Sequence, residues 1–300
     1  MVSKSLLMQI EIFKIFSDLV ETSSFSKTAS LNAITQSAVS QQIHALEKRF
    51  KVSLIERGRK IFAVTTEGRA FLQASKEILR AYENLGDRLQ ELQTTVSGEL
   101  HVATVYSIGL HELPRHLKLF RRSYPQVEIS VEYLRSAQVY QKVADGAAHL
   151  GLVAFPTRRK GITLECLWKD KLVLICPPNH RLASLPSVSI SDLADERFIS
   201  FSLDQPTRKA IDRILKSNKV SIRRAMEFDN IETLKRAVEI EHGIAIVPSA
   251  TVEEECRAGS VAAVEIDSAN MWRPVGLIQR RSRNQNAACR ALIAQLKGDS

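Results

Sequence analysis

Between Thr35 and Phe50 the apolar residues Val39, Ile43, Leu46 and Phe50 recur at spacings of four, three and four, one stripe of an α-helix. Thr35 precedes the first turn, where a hydroxyl can accept from free N–H groups. The opposite face carries Ser37, Ser40, Gln41, His44 and Lys48, with no acid in the first turns. A shorter helical pattern comes before it, with Ser26 as the predicted cap and Ala29 and Leu31 as apolar positions. Ile34 falls in the turn between the two. Residues 5–20 bring Leu6, Leu7, Ile10, Phe13, Ile15, Phe16 and Leu19 at helical spacing, enough to complete a small core. After Phe50, the run VSLIERGRKIFAVTTEG predicts a two-stranded ribbon turned at Gly58, with Arg57, Arg59 and Lys60 at its tip.

Thr65 then caps a long predicted helix over about 66–94. Phe71, Ile78, Leu85 and Leu92 repeat at intervals of seven, Tyr82 and Leu89 fill the interleaved positions, and Ser75 is the polar exception. This heptad pattern predicts a coiled coil, and a dimer since DNA half-sites are commonly read by symmetric pairs; the other reading is a long helix docked on its own domain. Thr94-Thr95-Val96-Ser97-Gly98 reads as a hinge.

Beyond it strands and helices alternate. GELHVATV, VEISVEYL and HLGLVAF read as strands, with helices over Leu110–Tyr124 and Gln138–Ala147 between them. ITLECLW and DKLVLICP read as two further strands. A second series runs RFISFS, helix Thr207–Ser217, RAMEF, helix Ile231–Glu241 and GIAIVP, followed by a helical stretch near Ser249–Arg257. VAAVEI, PVGLIQRR and a last helix over Asn286–Leu296 close the chain. Two βα series of this kind predict parallel sheet flanked by helices, in two lobes with a cleft between them.

Composition adds bounds. The 300 residues suffice for two or three domains, and 44% hydrophobic with 25% charged content is that of a globular protein. No apolar run approaches a membrane span, and Glu11, Lys14 and Asp18 interrupt the N-terminal segment, so no signal peptide is read and a cytoplasmic protein is expected. The net charge of +9 suits a polyanionic partner. Residues 1–66 hold 9 Lys/Arg and 5 Asp/Glu, +4, while residues 98–300 hold 29 and 23, +6, so the excess is not confined to one end. The seven histidines are scattered, and the four cysteines form no CxxC or zinc spacing. No P-loop, GxGxxG, GxSxG or HExxH is present, so no catalytic residue, metal or cofactor is assigned.

Two short helices meeting at a polar turn read either as an ordinary helical hairpin with a solvated face or as a helix-turn-helix, whose second helix suits the major groove of DNA. Gln can contact adenine in two places, and Ser can pair with several base edges. The candidates for DNA contact are Ser26, Lys27, Thr35, Gln36, Ser37, Ser40, Gln41 and His44, with Arg57, Arg59 and Lys60 of the ribbon on phosphate.

Ser24-Phe25-Ser26, Ala29, the run Ile34-Thr35-Gln36-Ser37-Ala38-Val39-Ser40, Ile43, Leu46-Glu47, Leu54, Arg57, Arg59 and Thr65-x-Glu67-Gly68 resemble the DNA-binding segment of LysR-type transcriptional regulators. That family usually has Leu where this chain has Asn32, and Gly where it has Lys51, which predicts a different turn after the recognition helix. The resemblance implies an all-α winged helix-turn-helix domain (1–66), a linker and dimerisation helix with hinge (67–97), and an α/β effector domain (98–300) similar to periplasmic solute-binding proteins. Lobe I would hold 98–174 and 275–300, lobe II 175–274. It further implies a homodimer or homotetramer on promoter or operator DNA, contact with RNA polymerase, and control by a small-molecule effector. Since some members sense peroxide through cysteines, Cys166 and Cys176 have a redox reading beside the ordinary one of buried reduced thiols.

Ligands of open α/β sheets bind beyond the carboxyl ends of strands. Ser107, Phe155, Phe201, Thr207, Asn230 and Pro248 stand at or next to such ends; the resemblance implies that Ser107, Thr207 and Asn230 line the cleft, each otherwise a plain helix cap, with Phe155, Phe201 and Pro248 as apolar wall, which suits a small carboxylate or aromatic acid. Two rivals stay open: a small-molecule-binding α/β protein or enzyme, and an effector-independent DNA-binding protein.

Overall fold

The stripe of Val39, Ile43 and Leu46 forms the centre of a three-helix core. The structure, a computed structural model, describes residues 9–56, 62–91, 96–268, 270–281 and 285–298, and the chain divides into two compact units, Met1–Leu92 and Gln93–Ser300.

In the first unit, α1 (Glu11–Thr22), α2 (Phe25–Leu31) and α3 (Gln36–Phe50) bury Phe16, Leu19, Ala29, Val39, Ile43 and Leu46 against Leu54 and Ile55. Thr35 Oγ1 accepts from Ala38 N at 3.1 Å, the predicted cap of α3. The cap of α2 is Ser24, which accepts from Lys27 N, and Ser26 lies inside the helix. The expected start near residue 5 gives way to Glu11, with 1–8 outside the described residues.

The two departures from the family pattern have physical explanations. Asn32 Nδ2 donates to Thr28 O at 3.0 Å and to Asp18 Oδ2 at 2.8 Å, so a polar bridge ties α2 to α1 while Leu31 is exposed. Lys51 ends α3 at φ 55°, the left-handed conformation a glycine would take, so the turn is the ordinary one made by a less suited residue.

Helix α4 (Thr66–Glu91) spans about 39 Å at 1.5 Å per residue. Thr65 Oγ1 caps it by accepting from Gly68 N at 2.8 Å. Gly68 is required because a Cβ there would lie 2.1 Å from Leu54 O. The Phe71 ring packs on Phe13, Phe16 and Phe50 of its own unit. Ser75 is buried and donates to Phe71 O. Ile78, Tyr82 and Leu85 are exposed. The side chain of Leu89, and Leu92 altogether, lie outside what is described.

The second unit opens with β1 (Gly98–Thr104), α5 (Tyr106–His111), α6 (Leu113–Ser123), β2 (Val127–Tyr133), α7 (Ser136–Asp145) and β3 (Leu150–Ala154). Strand β1 pairs in parallel with β2 and β3. The single helix expected over Leu110–Tyr124 is two, because Pro114 lacks an N–H and fits only a first turn. The two strands expected over 162–176 are one, β4 (Ile162–Cys176). It is continuous because different strands of the chain beyond it pair with each half; that chain runs β5 (Ser187–Val188), β6 (Arg197–Phe201), α8 (Pro206–Ser217), β7 (Arg223–Phe228), α9 (Ile231–Glu239), β8 (Ala245–Pro248), α10 (Glu253–Ala258), β9 (Ala262–Ile266), β10 (Trp272–Arg280) and α11 (Ala287–Gly298). Residues 162–171 of β4 pair with β10, and 172–176 pair with β8 and β9. Strands β6 and β7 form a parallel pair beside β8.

One apolar core gathers residues from Leu172 to Met271; another joins Leu100–Ala154 to Val275–Leu296. Strands β4 and β10 are thus the two segments that pass from one lobe to the other.

Candidate DNA-reading face and effector cavity

The burial of Val39, Ile43 and Leu46 turns the other side of α3 to solvent. Ser26, Lys27, Thr35, Gln36, Ser37, Ser40, Gln41 and His44 are all exposed. Ser26 Oγ donates to Gln36 Oε1 at 3.4 Å, and the Thr35 and Ser37 hydroxyls share a hydrogen bond of 2.9 Å, so these polar groups stand on one face across the turn. At the far end of α3, the buried Glu47 carboxylate accepts from Leu54 N at 2.9 Å and Ile55 N at 3.4 Å. The flanks of the predicted ribbon pair through Ile55 and Val64, with Glu56 N donating to Ala63 O. Its tip, with Arg57, Arg59 and Lys60, lies outside the described residues.

In the second unit a cavity of about 120 Å³ opens where the carboxyl ends of β1, β2, β3, β6 and β7 converge. An apolar cavity of about 150 Å³ takes up benzene, so the space suits an acid of a few carbons. Ser107, Phe201 and Thr207 line it. Three other expected residues do not. The Asn230 side chain is spent capping α9, accepting from Glu232 N at 2.8 Å. Pro248 is buried in β8 opposite Leu172, and its carbonyl accepts from Thr251. Phe155, at φ 48°, turns its ring into the core of lobe I.

What the sequence reading missed is the charge at the mouth. Arg135, at the end of the β2–α7 turn, reaches from lobe I to Asp229 Oδ2 at 2.6 Å and Asp204 at 3.6 Å in lobe II. All three line the cavity. A second contact crosses nearby, a hydrogen bond between His111 Nε2 and Glu232 Oε1 at 2.7 Å. Burial opposes ionisation of Glu232, but the hydrogen bonds from Lys235 and His111 hold its carboxyl below the usual range. The strand-end rule applied to β2 would have found Arg135. The buried partner of Ser107 was out of reach: Ser107 Oγ accepts from Arg273 Nη1 at 2.7 Å, a residue 166 positions away.

The cysteines do not pair. Cys166 and Cys176 lie on the same strand, about 33 Å apart at 3.3 Å per residue, beyond any disulfide within the chain. Burial pushes the Cys176 thiol up to about 11, away from the reactive thiolate. Among the described residues, no cluster of three His, Cys, Asp or Glu could hold a metal ion, and no helix is long and apolar enough to cross a membrane.

Comparison with known proteins matches both units. The family "Bacterial regulatory helix-turn-helix protein, lysR family" matches residues 10–69, and "LysR substrate binding domain" matches 93–299. A protein of Phaeodactylum tricornutum described as "Probable RuBisCO transcriptional regulator" is 29% identical over 294 residues, covering 96% of each chain. Full-length OxyR of Pseudomonas aeruginosa shares the fold with a TM-score of 0.75 at 18% identity, covering 97% of this chain and 98% of that one. Full-length CbnR, solved with its target DNA, shares it at 0.71 and 21% identity, covering 98% and 100%.

Proposed function

The chain belongs to the LysR family of transcriptional regulators, and from that premise we propose that a small organic acid held between the two lobes controls its action on double-stranded DNA. The observation that carries this reading is the convergence of five strand ends on one cavity. Helices α7, α8 and α9 begin there, so free N–H groups and positive dipole ends face the same space. Ser107 and Thr207 add hydroxyls, and Arg135 adds a cation already shared between Asp204 and Asp229. An entering carboxylate exchanges with those aspartates for Arg135 and so resets a contact between the lobes.

Such a ligand shifts the balance of lobe orientations only through its different affinity for each. The exposed polar face of α3 reads base edges in the major groove, with Gln41 and Ser40 as specifying contacts and Arg57, Arg59 and Lys60 on phosphate. The stripe of Ile78, Tyr82 and Leu85 is covered by a second copy, giving a dimer or tetramer that reads an inverted repeat and meets RNA polymerase at the promoter.

A thermal-shift screen against small carboxylates, paired with gel shifts on the protein's own upstream region, tests this. Ser107→Arg should abolish the effector's influence on DNA affinity while leaving basal DNA binding intact. A Ser107→Arg protein that responds with wild-type effector affinity removes the cavity from the effector site.

A further inference from the structure

Beneath Ser107 lies a charged cluster that belongs to neither the cavity wall nor the mouth. Arg273 of β10 is 1% exposed, and in the antiparallel register it stands opposite Asp170 of β4. Its Nε donates to Asp170 Oδ2 at 2.8 Å, and Nη2 donates both to Asp170 Oδ2 and, at 2.9 Å, to Glu112 Oε1. Nη1 donates to Ser107 Oγ at 2.7 Å. Trp168 Nε1 donates to the other oxygen of Glu112. The register partners of the next residues, Lys171 with Trp272 and then Leu172 with Pro248, show that the cluster sits where the strands leave one lobe for the other.

A serine hydroxyl has one proton to give and two lone pairs to offer. Here a buried guanidinium takes a lone pair through a charge-assisted bond, which leaves the O–H free to donate into the cavity. The ligand atom that meets Ser107 is then an acceptor. We propose that Arg273 is a positioning residue for the effector: it fixes the Ser107 hydroxyl as a donor toward an anionic ligand and ties that contact, through Asp170, to both strands that join the lobes. The inference rests on the cavity being the effector site.

Glu112 tunes this arrangement. Two carboxylates around one guanidinium would bury an excess negative charge. Burial raises Glu112 to about 8; Arg273 opposes the rise, and Asp170 adds to it, both by its charge and by accepting the proton. The groups facing Glu112 are Arg273 of β10, Asp170 and Trp168 of β4, and on its own side His116 of α6, which stacks on Trp168 and accepts from Arg115. With its proton, Glu112 leaves one cation against one anion under the cavity. Without it, a net negative charge faces the ligand.

The test uses the full chain with sulfate as probe, an acceptor-only anion whose charge is constant from pH 6.5 to 9. Trp168 and Trp272 are the two tryptophans of the sequence, so Trp168 emission in a Trp272→Phe background reports locally on binding. Sulfate affinity should fall about tenfold between pH 6.5 and pH 9, as expected for a proton lost near 8. Glu112→Gln cannot accept from both Arg273 and Trp168, so its absolute affinity is free to differ, but with no proton to lose it should hold its pH 6.5 affinity unchanged to pH 9. Ser107→Ala and Arg273→Lys should each weaken binding, and the double variant should be no weaker than the worse single one, because one acts through the other. Additive losses, or a Glu112→Gln profile that still falls with pH, overturn the inference and leave the effector reading standing. A wild type with no saturable sulfate response overturns both.

Discussion

Phe71 decides whether α4 starts as part of the DNA-reading unit or as part of a seam between chains. Its ring meets Phe13 at 5.8 Å, Phe16 edge-on at 5.1 Å and Phe50, the last residue of α3, at 5.5 Å. Three aromatic pairs at ~0.5–1.5 kcal/mol each give about 1.5–4.5 kcal/mol beyond area burial. Truncation of a fully buried Phe costs about 3–5 kcal/mol. Phe71 is half-buried, so Phe71→Ala should destabilise the first unit by about 2–4 kcal/mol. Hydrogen exchange reads this directly: the slowest amides of α1 and α3 should lose roughly 30- to 1000-fold of their protection, at about 1.4 kcal/mol per decade. The particle mass in light scattering should not change. Protection within about threefold of wild type together with a halved mass would place Phe71 in the seam and refute the reasoning.

The helix-turn-helix was legible because each of its parts has a local signature: the four-three-four stripe, the Thr35 cap, and small polar residues on the outer face of α3. The heptad of α4 left Phe71 open between a seam and its own unit, because periodicity reports which residues are apolar, not what covers them. Phe71 and Ile78 carry the same signal, yet one meets three rings of its own unit and the other is exposed. In the cavity, the strand-end rule found Ser107, Phe201 and Thr207 because a βα turn puts its residues at the sheet's carboxyl edge whatever their identity. The same rule proposed Asn230, whose side chain serves the helix cap instead. Arg273, Asp170 and Glu112 come together only through the antiparallel register of β4 and β10, long-range pairing that no local pattern carries. The polar stretch Trp168-Lys169-Asp170 even reads as a break in the strand.

Three further outcomes follow from the same geometry. Gln41→Ala should relax base preference in a binding-site selection with a modest loss of affinity, whereas Arg59→Ala should weaken all sequences alike and lower the salt slope; unchanged preferred sites for Gln41→Ala would mean a different register of α3 on DNA. Ile78→Glu with Leu85→Glu places like charges on an exposed apolar stripe and should yield smaller particles and much weaker operator binding; an unchanged mass would mean that another surface holds the copies together. The last concerns stability against pH. Burial, with Arg273 opposing and Asp170 adding, raises Glu112 from 4.5 to about 8. Between those values the native state keeps a proton that the unfolded chain has lost, so stability falls as pH rises through this window and the loss is complete above 8. At about 1.4 kcal/mol per pH unit the penalty reaches a few kcal/mol. His149, lowered to about 4 by burial and His101, has the opposite sign between pH 4 and 6.5, so wild type alone mixes the two. The pH dependence of the difference between wild type and Glu112→Gln isolates Glu112, because the amide has no proton to lose; the amide nitrogen, unable to accept from Arg273 or Trp168, adds only a pH-independent offset. Urea unfolding should find the stability difference nearly constant below about pH 5 and shifting progressively in favour of Glu112→Gln toward pH 9. Parallel stability curves would mean that Glu112 is ionised in the native state throughout, and that Arg273 already carries both carboxylates.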